Sequence, residues 1–386
     1  MKIVFIFCHH TIPQEHPNGV RMANIGLMFV ELGYQVYLYG FDSVAKPEFE
    51  YKGMHCKVWE QSNRPDFASI VKRSRNQEEH VKNALMEGKP DIIISAMPNS
   101  RGQRCLIRYA KSRCIPMIES VCEWYDRSNF RGFKGLIKFI NNRYSLCIQY
   151  PKRENIIAIS TLLADFYRSC GCNTIVIPTM VDIEEYKAIS HNRSVRTRIA
   201  YAGSPSKKDY ILNAIHGLAL LSEAERNNFE FHLYGPKLEQ LKQLGLSNDV
   251  LEKCGNELVC HGRIPYEQVK QHIVNADFTV LLRPDKRYAN AGFPTKVGES
   301  MACGTPVIAN LTSDLGKYII DGETGFVCVD ESPEACKTAL QRVLSMTEQE
   351  KANMRKEAME VAKIGFNYKT YLADMRDFLS KVEGEK

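Results

Sequence analysis

Lys296 and Glu299 stand three residues apart in the string PTKVGESMACGTPVI, a spacing that puts a cation and an acceptor side by side on one helical face. Pro294 and Thr295 break the chain ahead of them. A helix starting near Thr295 turns its free N–H groups and its partial positive charge back toward residues 291–294, and a phosphate-sized anion is what such an arrangement holds. Val297 and Met301, four apart, form a separate apolar face that packs inward. Gly304 supplies the left-handed residue that ends the helix, and residues 307–309 read as a short buried strand. An exposed Lys and Glu three apart are, taken alone, more often a solvated pair than a site. The elements that would position them must therefore carry the argument.

Those elements repeat one pattern twice. Residues 2–8 read as a strand, 20–32 as a helix closed by Gly33, and 35–39 as a second strand. Strands at 92–95 and 116–121 flank a helix at 103–113, and further buried strands fall at 155–160 and 175–178. The polar residues 188–198 read as a linker, after which strands recur at 198–202, 229–235 and 258–262. Residues 367–382 form a last amphipathic helix. This alternation predicts an α/β protein with parallel sheets. The loop from His9 to Gly19 has no G-x-G-x-x-G, which argues against a dinucleotide-dependent dehydrogenase.

The chain has 386 residues, enough for two domains of ordinary size. No apolar run reaches the roughly 18 residues that span a bilayer, and MKIVFIFCHH reads as a first strand, not a signal peptide. Thirteen cysteines, an odd number without any C-x-x-C, fit a reducing cytoplasm with buried thiols. With neither H-x-x-x-H nor D-x-D, no essential metal is expected. Of the net charge of +6, all lies before residue 191, where 25 Lys and Arg face 19 Asp and Glu; the remainder has 26 of each. From Arg127 to Arg153 there are seven basic residues and no acidic one, with Phe133, Leu136, Ile137, Ile140 and Tyr144 at helical spacing. Such a helix either packs its stripe on its own domain or lies on an anionic membrane surface.

PTKVGESMACGTPVI followed by DGETGF, with KPDIIISAMP and IPMIESVCEWYD earlier, resembles the retaining glycosyltransferases of family 4 over nearly the whole chain. That resemblance implies the GT-B fold, with two Rossmann-like domains facing each other across a cleft. The acceptor domain would be 1–187 joined by the C-terminal helix 367–386, and the nucleotide-sugar domain 198–366. It implies Glu299 on the ribose hydroxyls, the backbone at Arg263 and Ile264 on the nucleobase, and Lys208 and Lys296 on the leaving diphosphate beside the helix start at Thr295. Gly203 and Gly19 would allow close backbone approach, and Glu123 follows a strand where relatives place an acid after a His.

Departures accompany the likeness. Cys122 stands in place of that His, Ser204 in place of a phosphate-binding Arg, Ala291 in place of the first Glu of the motif, and Asn18-Gly19 keeps one of two glycines. Arg283 or Arg287 is expected to supply the missing cation. The implied activity is transfer of a sugar from a UDP- or GDP-sugar to an acceptor hydroxyl with retention, without cofactor, in polysaccharide or glycolipid assembly of the bacterial surface. Its implied partners are the donor and a saccharide or lipid-linked saccharide acceptor, not nucleic acid. The expected location is cytoplasmic, with peripheral contact at the inner face of the plasma membrane. A GT-B sugar-nucleotide 2-epimerase, or a nucleotide-sugar-binding partner protein without turnover, are the alternatives.

Overall fold

Each apolar run that is buried on both faces must return through a helix to lie parallel to the last, and the computed structural model does this in two units. It describes the chain apart from residues 14–15, 62–66, 131, 187–193, 205–207 and 385–386, and at 67, 68, 70, 71 and 267 the backbone only.

The first unit comprises Met1–Met180 and Tyr368–Lys386. Its strands are β1 (Ile3–Cys8), β2 (Gln35–Asp42), β3 (Lys46–Tyr51), β4 (Met54–Glu60), β5 (Ile92–Ala96), β6 (Met117–Val121), β7 (Asn155–Ala158) and β8 (Asn173–Val176). They form one sheet in the order β3-β4-β2-β1-β5-β6-β7-β8, parallel except for the β3/β4 hairpin. Alternate β1 residues serve two cores: Val4 and Ile6 pack in one, Phe5 and Phe7 in the other. The closing helix Leu372–Val382 buries Met375, Phe378 and Leu379 with Ile175, Ile177 and Met180. Glu383 then receives Lys2 Nζ at 2.6 Å and Tyr34 OH at 2.9 Å.

The second unit, Val181–Asn367, contains β9 (Thr197–Ala202), β10 (Phe229–Tyr234), β11 (Leu258–Gly262), β12 (Phe278–Leu281), β13 (Val307–Asn310) and β14 (Gly325–Cys328). All are parallel, in the order β11-β10-β9-β12-β13-β14. Ile199, Phe231, Phe278 and Ile308 form its centre.

Several boundaries differ from those expected. The first unit ends at Met180, not at 187, because Val181 N donates to Phe366 O at 2.9 Å and Lys270 Nζ reaches Glu185 at 2.9 Å. Thr197 already opens β9, and residues 188–193 of the expected linker lie outside the described residues. The first helix is Pro17–Glu31, not 20–32: Pro17 takes the first turn, where no N–H is needed, and His16 Nδ1 accepts from Asn18 N at 3.2 Å. The β3/β4 hairpin and the helix Phe67–Glu87 were not anticipated from periodicity.

Candidate active site

Three adjacent strands of the second unit, β9, β12 and β13, end together, and the residues just past their carboxyl ends build the site. At the end of β13, the Asn310 side chain clasps the backbone of Arg283: its Oδ1 accepts from Arg283 N at 2.8 Å and its Nδ2 donates to Arg283 O at 2.7 Å. The helix Thr295–Ala302 is seated by its own signature residues. Ser300 Oγ donates to Thr305 O at 2.7 Å and lies 2.6 Å from Thr279 Oγ1, while Val297 and Met301 are buried as their spacing required.

Lys296 is thereby aimed past β9. Its ammonium donates to the Asp209 carboxylate, lies 3.1 Å from Tyr201 OH and sits 4.4 Å above the Tyr201 ring. Tyr201 OH donates to Asp209 Oδ2 at 3.0 Å, and buried Arg283 holds Nε 4.0 Å from Asp209 Oδ1. Burial would raise the Asp209 carboxyl, but Lys296, Arg283 and the Tyr201 hydroxyl together outweigh it and hold the group below the ordinary carboxylate range. Two cations thus meet one anion. Gly203 makes room for this: a Cβ there, at φ +152°, would lie 2.4 Å from Lys296 Cε and 2.5 Å from Nζ.

One turn along the same helix, Glu299 Oε1 accepts from Tyr266 OH at 3.0 Å. Burial raises its carboxyl, with Tyr266, Lys270 and Lys296 acting against that rise. Lys270 lies over the rings of Tyr186 and Tyr266, at 5.1 and 5.3 Å. β11 ends in Gly262 at φ +67°, and the exposed Arg263 that follows shares a hollow with Ser204, Gly235 and Lys237. Half-buried Ile264 comes next.

In the first unit, residues past β1 and β6 gather around the start of Pro17–Glu31. His10 and His16 stack with ring centroids 3.6 Å apart. Burial, then neighbouring imidazoles, push His10 down to about 3, whereas burial and then Arg73 and His16 push His9 down to about 4. Both rings are therefore neutral near pH 7. Fully buried Arg21 donates through Nη1 to Ile177 O at 2.6 Å and Pro178 O at 2.7 Å. The Cys122 thiol is raised by burial and drawn back by Arg21. Half-buried Glu123 follows it and is close enough to His16 to favour the imidazolium against burial.

The structure brings Lys296, Gly203 and Arg283 into one cluster and puts Glu299 on the same helix. Lys208, half-buried, immediately precedes Asp209 in the turn before the helix Ile211–Ala219. Arg287 opens the short helix Arg287–Ala291 and is exposed. Residues 291–294, ahead of the helix Thr295–Ala302, are largely buried: Ala291 ends the preceding helix fully buried, and Phe293 packs edge-on to Tyr318 at 5.5 Å. Gly19 lies inside the first turn of its helix, where a Cβ would meet Thr11 O at 1.9 Å, so this glycine answers to packing. Asp209, Tyr201, Tyr266, Lys237 and His16 were missed by sequence reasoning. Asp209 follows Lys208 directly and His16 stands three before Gly19, but neither neighbourhood reveals a partner. Among the described residues, no group of three or more His, Cys, Asp or Glu is arranged to hold a metal ion.

Residues 182–361 match the family model described as Glycosyl transferases group 1, a span that falls within the second unit. The whole chain is similar in fold to the sucrose-phosphate synthase from Thermosynechococcus elongatus, with a TM-score of 0.74, 15% identity and 100% of each chain covered. It is likewise similar to HepE of Anabaena in complex with UDP and glucose, with a TM-score of 0.67 and 15% identity over 99% of this chain and 100% of that one. The fold is that of the GT-B glycosyltransferases, with a parallel-sheet domain in each unit. An uncharacterized glycosyltransferase, MJ1069 of Methanocaldococcus jannaschii, is 20% identical over 265 residues, and the match spans 65% of this chain and 64% of that relative's length.

Proposed function

We propose that the protein transfers a glycosyl group from a nucleoside diphosphate sugar, such as a UDP- or GDP-sugar, to an acceptor hydroxyl with retention of configuration, in polysaccharide or glycolipid assembly. The observation that carries this reading is the Lys296–Asp209–Arg283–Tyr201 cluster, where two cations share one carboxylate at the carboxyl ends of parallel strands. The match of residues 182–361 to a glycosyltransferase family supports it.

In this reading the diphosphate gains charge as the glycosidic bond breaks, and Lys296, Arg283, Lys208 and the start of the helix Thr295–Ala302 stabilise that charge. Glu299, held by Tyr266, accepts from the ribose hydroxyls. The backbone at Arg263 and Ile264 meets the base. The leaving phosphate helps to deprotonate the incoming hydroxyl. Glu123 and the neutral histidines near it are assigned to the acceptor, a saccharide or lipid-linked saccharide.

A panel of nucleotide sugars, followed for release of free nucleoside diphosphate with and without saccharide acceptors, tests the reading. Release that requires an acceptor is expected, with the donor's anomeric configuration kept in the product by NMR. Conversion of the donor sugar without acceptor would instead indicate an epimerase. Donor binding by calorimetry with no turnover across the panel would indicate a binding protein.

A further inference from the structure

The helix Gly132–Tyr144 of the first unit continues without a break into one wider turn at Ser145–Gln149 and has two unlike faces. One packs on its own unit: Gly135, Ser145, Leu146 and Gln149 are buried, Leu136 and Phe139 are half-buried, and Arg143 lies 4.8 Å over the Trp124 ring. Leu136 therefore leaves the sequence-derived stripe and turns inward. The other face carries Phe133, Ile137, Ile140, Tyr144 and Ile148, which are 77, 54, 57, 47 and 46% exposed. Steps of four, three, four and four residues keep them in a single row along the helix. Large apolar side chains exposed singly need no explanation, but five in one row form a patch that a folded protein rarely leaves in water without a use.

The charge along the row is basic. Lys134 and Lys138 are exposed along its edge, Arg127 precedes it, and residues 127–153 contain no acid. Asn141 on the helix accepts from Asn99 at 2.8 Å, and Asn99 accepts from Arg104 at 3.2 Å. This link brings the helix Arg101–Ser112 alongside, with Arg101, Arg104 and Arg108 exposed and no acid of its own. A second copy of this chain would meet the face with like charge. An exposed apolar row edged by cations fits a fluid apolar phase bounded by anions.

We propose that this face docks the protein on an anionic lipid bilayer. The helix lies flat in the interface, with Phe133, Ile137, Ile140, Tyr144 and Ile148 at the acyl boundary and Lys134 and Lys138 among the headgroups. No helix among the described residues is long and apolar enough to cross a membrane, so the contact is peripheral. The inference stands on exposure and charge and does not depend on the chemistry of the second unit.

Sedimentation with phosphatidylglycerol–phosphatidylcholine vesicles should carry the protein down. Pure phosphatidylcholine should not, and added salt should weaken binding. Changing Lys134 and Lys138 to Ser should lower partitioning roughly 30-fold, at about 1 kcal/mol per charge. Phe133→Ser, Ile137→Ser and Ile140→Ser together should abolish binding while circular dichroism and melting stay unchanged, because these side chains face water. Nucleoside diphosphate affinity should also be unaffected, which separates this result from any failure of the transferase reading. Insertion is read directly by Ile140→Trp, whose fluorescence should shift to the blue and be quenched by brominated lipid, while Ile364→Trp, at a position 68% exposed in the second unit, should do neither. Retained vesicle binding by the triple Ser variant would overturn the proposal. So would a wild-type protein that ignores anionic vesicles at low salt yet forms a dimer lost with Phe133→Ser, since the row would then be an interface between copies.

Discussion

Glu119, on strand β6 of the first unit, and Asp209, in the turn past β9 of the second, are both carboxylates largely withdrawn from water, and they behave in opposite ways. Glu119, on β6, is 1% exposed; it accepts from Gln103 Nε2 at 3.1 Å, and Arg153 Nε stands off at 3.7 Å. Burial pushes it up to about 8, against the pull of Arg153, Ser95 and Gln103. Asp209 is half-buried and burial acts on it in the same direction, yet it is held below its ordinary range because Lys296 touches it and Arg283 stands beside it. Burial is shared, and cation contact sets the sign. One carboxyl is therefore a neutral part of a core, and the other is the counter-ion of a site built to receive anions.

The strongest way to break this contrast is to remove the cation. Lys296→Met should depress turnover about 100-fold or more, as expected for a group that acts on leaving-group charge. It should also destabilise the second unit by about 3 kcal/mol, because Asp209 is left buried without its ammonium. Adding Asp209→Asn should restore the melting temperature but not turnover. If both recover, Lys296 is only a structural partner of Asp209. Lys208→Ala should lower turnover more than it raises KM, as expected for a group that acts on the leaving diphosphate.

Glu299→Gln keeps shape and still accepts from Tyr266, but it loses the charge offered to the ribose. Affinity for nucleoside diphosphate should weaken by about 1.5–3 kcal/mol in calorimetry. Unchanged affinity would take Glu299 out of the site.

Glu119 offers a test through pH. Its folded value is raised from 4.5 to about 8, so between those limits the folded state keeps a proton that the unfolded state has released. Stability from this group is complete below about pH 4.5 and declines as pH rises toward 8. Glu119→Gln should flatten that slope in melts from pH 5 to 8, gaining most at pH 8. Asp209 has the reverse sign: its contribution is present above its unfolded value and is lost as pH falls through its lowered folded value.

The smallest effect concerns the signature string itself. Ser300→Ala removes the bond to Thr305 O and the contact with Thr279 Oγ1, and should cost about 1–2 kcal/mol of stability while turnover per folded molecule stays near wild type. A large fall in turnover would mean that Ser300 does more than seat the helix.

Much of the fold was legible because it rests on local rules. Strand cores, the start of Thr295–Ala302 and the left-handed Gly304 at φ +67° follow from apolar runs, proline and glycine. The string that carried the family resemblance was read as chemistry, but much of it is carpentry. Ser300 and Thr305 seat the helix, and in DGETGF Asp321 Oδ1 accepts from Val327 N at 2.9 Å while Thr324 Oγ1 accepts from Ile320 N at 2.8 Å and donates to Tyr318 O at 2.9 Å.

By itself, then, the sequence determined many of the strands and helices, that the pattern occurs twice, and that Lys296 and Glu299 share a face, because each depends on neighbours within a few residues. Only the tertiary structure decided which partner each charge meets. Asp209 is 87 residues from Lys296 along the chain, and Tyr266 is 33 from Glu299. No periodicity encodes such distances, because strand order is set when the whole sheet packs. The same held for the basic helix: its sequence allowed either face to be the buried one, and packing turned Leu136 and Phe139 inward and left Phe133, Ile137 and Ile140 in water.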